Sequence, residues 1–416
     1  MISLQSIQEA QRNLDGIARK TDLISSTRLM DNVAVRSGES LTPPLYLKTE
    51  NLQTTGSFKL RGAYNKISKL NDNQKQAGII ACSAGNHAQG VALAAAEMDI
   101  PCVICMPDGA PISKVEATKA LGAEIVLVPS TYDDAYHHAI ALQAKTGATF
   151  IHPFDDEDVI AGQGTIGLEI LDQLPDVEAI VVPIGGGGLI AGLALAVKSL
   201  RPEVKIYGVQ AQKAPCIYDS LRQGKTVSLE GVSTFADGIA VKTPGIKTLN
   251  LIREYVDAVV TVSEDEIAAA ILGLMEKEKL IAEGAGATSV AAVMFDKLPQ
   301  LDDENGKRTV CVVSGGNIDV NILSRVITRG LVTSGRNATL HIELEDKPGQ
   351  LTEVSRIISE HGGNVVAVHH AGSDPNMAIT SCNLTVGLET RDFEHIQSIR
   401  DALTCAGFEL VSNSSK

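Results

Sequence analysis

From about Asp72 onward, short apolar runs alternate with stretches of helical periodicity. Residues 79–82 read as a strand before a helix over 88–98, 102–106 as a strand before a helix around 114–121, and 124–128 before one around 132–145. Likewise 179–184 precede 189–200, and 309–313 precede 320–327. Strands and helices alternating in this way predict parallel sheets covered on both faces. Such sheets bind ligands beyond the carboxyl ends of their strands. Three of those ends carry unusual residues: Ser83-Ala84-Gly85-Asn86-His87, Gly185-Gly186-Gly187-Gly188, and Ser314-Gly315-Gly316-Asn317.

The pattern then changes. Residues 329–337 are short and polar and read as a linker. Beyond them come a strand (338–344), a helix (350–361), two strands (364–370 and 378–387), a helix (392–404) and a short strand (408–411). That order is βαββαβ, a complete ferredoxin-like unit.

Composition narrows the classes. A chain of 416 residues, 44% hydrophobic and 21% charged, has material for large cores. At roughly 150 residues per domain it holds about two or three domains. Lys and Arg total 36 against 50 Asp and Glu, a net charge of −14 that repels phosphate backbones, so no nucleic-acid partner is expected. Aromatics are 3% with no Trp, which argues against base-stacking platforms and membrane-interface belts. Residues 179–197 are uncharged and long enough to mimic a membrane span, but Pro183 and the four glycines would break such a helix. No membrane partner is expected.

The first 19 residues lack an apolar signal core, and the seven cysteines are scattered, as in a reduced, cytoplasmic chain. Cys102 and Cys105 form a C-x-x-C on a strand, where positions three apart face opposite ways, so they read as core. The pairs His137-His138 and His369-His370 are adjacent rather than one helical turn apart, so no metal site is expected.

Two features carry candidate chemistry. Gly185–Gly188 lie between an apolar strand and an apolar helix, where backbone N–H groups and a helix N-terminus can cradle an anion, although a tight turn would use the same residues. The spacing is neither G-x-G-x-x-G nor followed by G-K-[ST], which leaves dinucleotide and P-loop readings weak. Lys59 stands between Phe58 and Leu60 and follows Gly56-Ser57, a setting that can desolvate an amine as a Schiff-base lysine requires. A Schiff-base lysine with a phosphate cradle suggests pyridoxal phosphate.

Together, Ser57-Phe58-Lys59-Leu60-Arg61-Gly62, Ser83–His87, Gly185–Leu189 and Ser314–Asn317 resemble the pyridoxal-phosphate enzymes of the tryptophan-synthase-β fold, fold type II. Within them the chain most resembles the threonine dehydratases, or threonine ammonia-lyases. The C-terminal unit resembles an ACT domain, with Leu344-Glu345-Asp346-Lys347-Pro348-Gly349-Gln350-Leu351 matching that module's strand-to-helix turn. The resemblance implies an α/β catalytic region over 1–330, two-lobed and built on parallel sheets, with a small lobe at about 55–155. A linker at 331–337 and an ACT-like regulatory domain over 338–416 would follow.

The resemblance also implies roles. Lys59 would form the Schiff base and act as general base, and Phe58 would pack near the cofactor. Asn86 would bond the cofactor's 3′-oxygen, Gly185, Gly186, Gly187, Gly188 and Leu189 would hold its phosphate, and Ser314 would face the pyridine nitrogen. Ser83, Ala84, Gly85, Asn86 and His87 would receive the substrate carboxylate, and Glu283 would line the ring. Asp346, Pro348 and Gly349 would mark the regulatory turn, receiving an amino-acid effector. Each has a plainer reading: Ser314 and Glu283 as helix caps, His87 as a satisfied helix-start histidine.

The implied reaction is β-elimination of L-threonine to 2-oxobutanoate and ammonia, with L-serine as a side substrate, in a homo-oligomer (tetramer or dimer). A serine hydroxyl at the ring nitrogen makes a weaker electron sink than a carboxylate partner, which favours β-elimination over transamination. Alternatives are an L-serine dehydratase, a serine racemase, a threonine synthase, or a non-enzymatic amino-acid sensor. Related racemases carry a second base, a serine, where this chain has Ala84. A sensor would have no use for Lys59, Asn86 and Ser314 together. Gln210 and Cys216 stand where some relatives place divalent-ion carboxylates, which argues against such an ion but leaves a monovalent cation open.

Overall fold

The apolar runs pair as parallel strands. The computed structural model describes residues 2–29, 45–299, 308–371 and 380–411. It divides into two compact units, residues 1–323 and 324–416.

The strands are β1 Leu23–Ser26, β2 Leu45–Lys48, β3 Ile79–Cys82, β4 Cys102–Pro107, β5 Glu124–Val128, β6 Thr149–Phe150, β7 Ala179–Pro183, β8 Lys205–Ala211, β9 Ala258–Val262 and β10 Thr309–Val312 in the first unit. Its helices include α1 Leu4–Asn13, α2 Lys59–Ser68, α3 Asp72–Ala77, α4 Asn86–Ala96, α5 Ile112–Ala120, α6 Tyr132–Thr146 and α7 Glu157–Gln173. After these come α8 Gly188–Leu200, α9 Cys216–Gln223, α10 Ile246–Tyr255, α11 Glu264–Gly273 and α12 Gly284–Met294.

One sheet has the order β1-β2-β10-β7-β8-β9, parallel throughout except for β1 against β2. The other, β5-β4-β3-β6, is wholly parallel and lies between β2 and β7 in sequence. All five residues of β7 and all four of β3 are buried, as both-face helix cover demands. Cys102 packs into the core on one side of the four-stranded sheet and Cys105 into the core on the other. Residues 179–197 form a strand, a glycine turn and a helix, and among the described residues no helix is long and apolar enough to cross a membrane.

Local signals set many helix ends. Thr131 and Asp134 form a capping box at the start of α6, Asp156 caps α7, and Gly147 closes α6 in the left-handed conformation. The helices also meet through glycine. A Cβ on Gly192 would lie 2.1 Å from the Ile160 carbonyl oxygen, and one on Gly162 2.4 Å from that of Arg61. Gly162, Gly164 and Gly167 thus reproduce a G-x-G-x-x-G spacing inside α7, where they let α2 and α8 approach at backbone contact rather than bind a nucleotide.

Helix α13 runs Val320–Thr333, so residues 329–333, expected in the linker, are its last turns. The division between the units falls inside it, after Leu323. Val326 and Gly330 are buried on one face, and that packing overrides the polar composition read as a loop. Beyond it, β11 Asn337–Glu345, α14 Gln350–Glu360, β12 Asn364–Ala371, β13 Ser381–Glu389, α15 Phe393–Cys405 and β14 Glu409–Leu410 form an antiparallel sheet of order β12-β13-β11-β14 with its own core. The expected strand start at Ala378 lies outside the described residues.

Candidate active site

Lys59 is the first residue of α2, which is wedged between two other helices. A Cβ on Gly90 of α4 would come within 2.9 Å of the backbone of Lys59 and Leu60, so α2 and α4 touch main chain to main chain there. Behind Lys59, the fully buried Arg61 anchors the helix. Its guanidinium grips Glu50 with two bonds of 2.8 and 2.9 Å and reaches Glu169 at 2.6 Å. Glu169 also accepts from Lys48 at 2.6 Å. Two carboxylates and two cations, all buried, thus tie β2, α2 and α7 together.

The Lys59 side chain enters a cavity of about 780 Å³ between the two sheets' lobes. Phe58, Ser83, Ala84, Gly85, Asn86, His87, Gly185, Gly186, Gly187, Gly188, Leu189, Glu283 and Ser314 all line it with Lys59. Every first-unit residue expected to touch cofactor or substrate therefore lines one cavity. Asp346, Pro348 and Gly349 belong to the second unit. The Lys59 amine donates to the Pro153 carbonyl at 2.9 Å, and burial pushes its pKa down to about 8.

The glycine turn leaves its N–H groups to the cavity. Gly187 has φ of +96° and precedes α8, and no side chain caps that helix. A Cβ on Gly186 would fall 2.4 Å from the Phe154 ring, so the turn admits no side chain there. Thr248 donates to the Gly186 carbonyl at 2.7 Å, and Asp155 accepts from the N–H groups of Ile246, Lys247 and Thr248. Phe154, Asp155 and Thr248 form the rigid back of the turn, and none of them was marked by its sequence. An uncapped helix end behind an open glycine turn fits a phosphate monoester. A lone low-pKa amine in the same cavity fits the aldehyde of pyridoxal phosphate.

Helix α4 also starts without a side-chain cap, as a carboxylate-binding end does. His87 is a satisfied helix-start histidine that also lines the cavity. Its Nε2 bonds the Ile151 carbonyl at 2.9 Å, and burial and the Lys59 charge hold its pKa down at about 3, leaving the ring neutral. Ser314 is no helix cap, since α13 begins only at Val320. Nor does the Glu283 side chain cap α12, which it precedes. Instead Asn86 donates to it at 2.6 Å, and burial with the nearby Asp237 charge raises its pKa to about 7. Asn317, quoted in a motif without a role, donates to the Asn86 oxygen at 2.8 Å. Gln210 does not face the cavity: its amide oxygen accepts from the N–H groups of Ile217 and Tyr218 in α9.

This chain belongs to the pyridoxal-phosphate-dependent enzymes: the family described as "Pyridoxal-phosphate dependent enzyme" matches residues 16–315, and an ACT domain matches residues 333–405. An L-threonine ammonia-lyase of Thermotoga maritima is 50% identical over 410 residues, covering 99% of each chain. Among solved structures, the processed form of threonine deaminase isoform 2 from Solanum lycopersicum aligns with a TM-score of 0.72 at 39% identity, over 78% of this chain and 87% of that one. Maize serine racemase aligns with a TM-score of 0.73 at 35% identity, over 80% and 98%.

Proposed function

We propose that the chain is an L-threonine ammonia-lyase, converting L-threonine to 2-oxobutanoate and ammonia and acting on L-serine by the same route. The observation that carries this reading is the burial of the Lys59 amine in one cavity with an uncapped glycine turn and a second uncapped helix end. The names of the Thermotoga maritima and Solanum lycopersicum relatives support it.

Bound pyridoxal phosphate supplies an electron sink for the charge that develops at the substrate Cα. Gly185–Leu189 and the start of α8 would hold its phosphate, the Asn86 amide and Ser314 hydroxyl would lie toward its ring, and Phe58 would pack beside it. The Ser83–His87 loop receives the substrate carboxylate through N–H groups other than those of Ser83 and Gly85, which donate to the Cys105 carbonyl and the Ser83 hydroxyl, and this fixes Cα against Lys59. With a pKa near 8, the Lys59 amine is a base matched to neutral pH and takes the Cα proton. The β-hydroxyl then leaves as water, its added proton balanced by the one Lys59 took from Cα, so that Lys59 ends as the neutral amine. The released enamine tautomerises and regains one water, giving the keto acid and ammonia.

A racemase needs a second base on the opposite face, and at the cavity position implied for it stands Ala84, which carries no proton. The test is keto-acid release from threonine and serine by wild type and by Lys59→Ala. Loss of turnover and of the cofactor's visible absorbance in the variant supports the reading. Retention of both overturns it.

For the C-terminal unit we propose an allosteric role in which an amino acid such as isoleucine or valine binds at the Asp346–Gly349 turn. Gly349 has φ of +96° and precedes α14 without a side-chain cap, so N–H groups are open to a carboxylate. The edge strand β12 exposes Val366 and Val368, which supports self-association into a homo-oligomer. Titrating isoleucine and valine against keto-acid formation tests the first point, and light scattering on the full chain tests the second. An unchanged rate would overturn the allosteric reading.

A further inference from the structure

We propose that the C-terminal unit carries a metal site for a zinc-type dication, held by Asp346, His370 and Cys382. The three residues come from separate parts of the chain, and the sheet brings them to one corner. Strand β13 lies between β11 and β12, with Cys382 opposite Leu344 and Leu384 opposite His370. Leu340, Ile342 and Leu344 on β11, and Cys382, Leu384 and Val386 on β13, point into the core beneath the helices. Asp346 continues that alternation just past the end of β11, where its N–H bonds the Thr380 carbonyl at 2.8 Å. His370, opposite the inward-facing Leu384, shares the same face.

The donor atoms converge. His370 Nε2 lies 3.1 Å from Cys382 Sγ, and one donor atom from each of the three residues lies within 4.8 Å of the other two. Tetrahedral bonds of about 2.0–2.3 Å place ligand atoms roughly 3.3–3.8 Å apart, so small side-chain adjustments close the set on an ion. The mutual closeness separates this arrangement from a nucleophile relay. In a Cys-His-Asp relay the imidazole stands between thiol and carboxylate, one on each nitrogen, and keeps those two apart. Here the carboxylate is near the thiol as well as the ring.

Thiolate and imidazole together select zinc-like ions, whereas magnesium and calcium prefer all-oxygen sets. Asp346 and His370 are exposed and Cys382 is buried, so the ion would sit at the surface with a fourth position open to water. Along the sequence His370 has only His369 beside it, a spacing that does not suggest a shared ion. The ligands of His370 are instead 24 residues before it and 12 after it, supplied by strand pairing. The site shares Asp346 with the turn proposed above for an amino-acid effector, and titration with metal alone, no amino acid being present, tells the two apart.

The test is calorimetric titration of reduced, chelator-treated full-length holoenzyme with Zn²⁺, repeated with Co²⁺ to read thiolate-to-cobalt absorption. One ion per chain is expected, with a cobalt spectrum that includes a sulfur ligand. His370→Gln and Asp346→Asn alter exposed side chains and leave the core intact, and each should weaken binding more than about tenfold. Cys382→Ala should abolish the sulfur-to-cobalt band, while threonine turnover without added metal stays unchanged in His370→Gln and Cys382→Ala. The site is refuted by absence of saturable binding, by binding that survives His370→Gln, or by binding lost instead with Cys405→Ser, the exposed thiol.

Discussion

The Asn86 amide donates to the Glu283 carboxylate at 2.6 Å, joining the first residue of α4 to the residue that precedes α12. The orientation of that amide is set on its other side, where Asn317 donates to the Asn86 oxygen while also bonding the Thr55 carbonyl. Gly56, with φ of +70°, makes room: a Cβ there would lie 2.4 Å from the Asn317 oxygen. The Asn86 NH₂ therefore has one hydrogen committed to Glu283 and one left for the cavity.

Asn317→Asp places an acceptor against the Asn86 oxygen and favours the flipped amide. The flip would present an oxygen to both Glu283 and the cofactor. Mismatched buried polar groups cost about 1–3 kcal/mol, so cofactor affinity should fall by roughly tenfold or more. Titration of the apoprotein with pyridoxal phosphate, followed by visible absorbance, measures this. Unchanged affinity would remove Asn317 from its positioning role.

Glu283 makes stability depend on pH in a defined direction. Its folded pKa, about 7, exceeds the ordinary carboxylate value, so between about 4.5 and 7 the folded state binds more protons than the unfolded state. The contribution of Glu283 is present at low pH and is lost as pH rises through 7. Glu283→Gln removes it. The urea midpoint of the variant should gain on wild type from pH 5 to pH 8, and a constant difference across that range would contradict the assignment.

Gly90→Ala reverses the usual helix rule. Alanine normally stabilises a helix interior by about 1 kcal/mol over glycine. At this position the new methyl meets backbone atoms of Lys59 and Leu60, which have no rotamer to yield. Overpacking of this kind costs about 1–3 kcal/mol and should shift Lys59, lowering kcat together with the melting temperature. Thermal scans and threonine kinetics together check both effects.

Arg61→Met leaves Glu50 buried without its bidentate partner and should cost about 3–5 kcal/mol. The double change Glu50→Leu with Arg61→Met removes both charges and keeps the Lys48–Glu169 pair, so part of the loss should return. Denaturant midpoints of the two single variants and the double variant measure the coupling. Additive losses would show that Arg61 and Glu50 do not act as a pair.

Much of this was legible locally. The strands β3, β4, β5, β7 and β10 are short apolar runs, and the glycine turn and the two asparagine-bearing loops fall at strand ends, whereas β6, β8 and β9 stand outside the alternation read from the chain. Helix ends were less legible. Helix α4 begins at Asn86 rather than Ala88, because the uncapped start is part of the site and carries no capping signal. Helix α13 runs on through residues 329–333, whose composition reads as a linker, with Val326 and Gly330 buried along it.

The amino-acid sequence by itself determined the alternation of apolar strands and helices around the site, the βαββαβ order of the C-terminal unit and the cofactor, and it marked Lys59 as the candidate Schiff-base lysine. Each follows from local periodicity or from motifs whose spacing is a few residues. Only the tertiary structure decided what orients those groups. Asn86 finds Glu283 across 197 residues and Asn317 across 231, and Arg61 finds Glu169 across 108. Partners so distant are chosen by which faces of which helices the sheets bring together, and local periodicity does not carry that information.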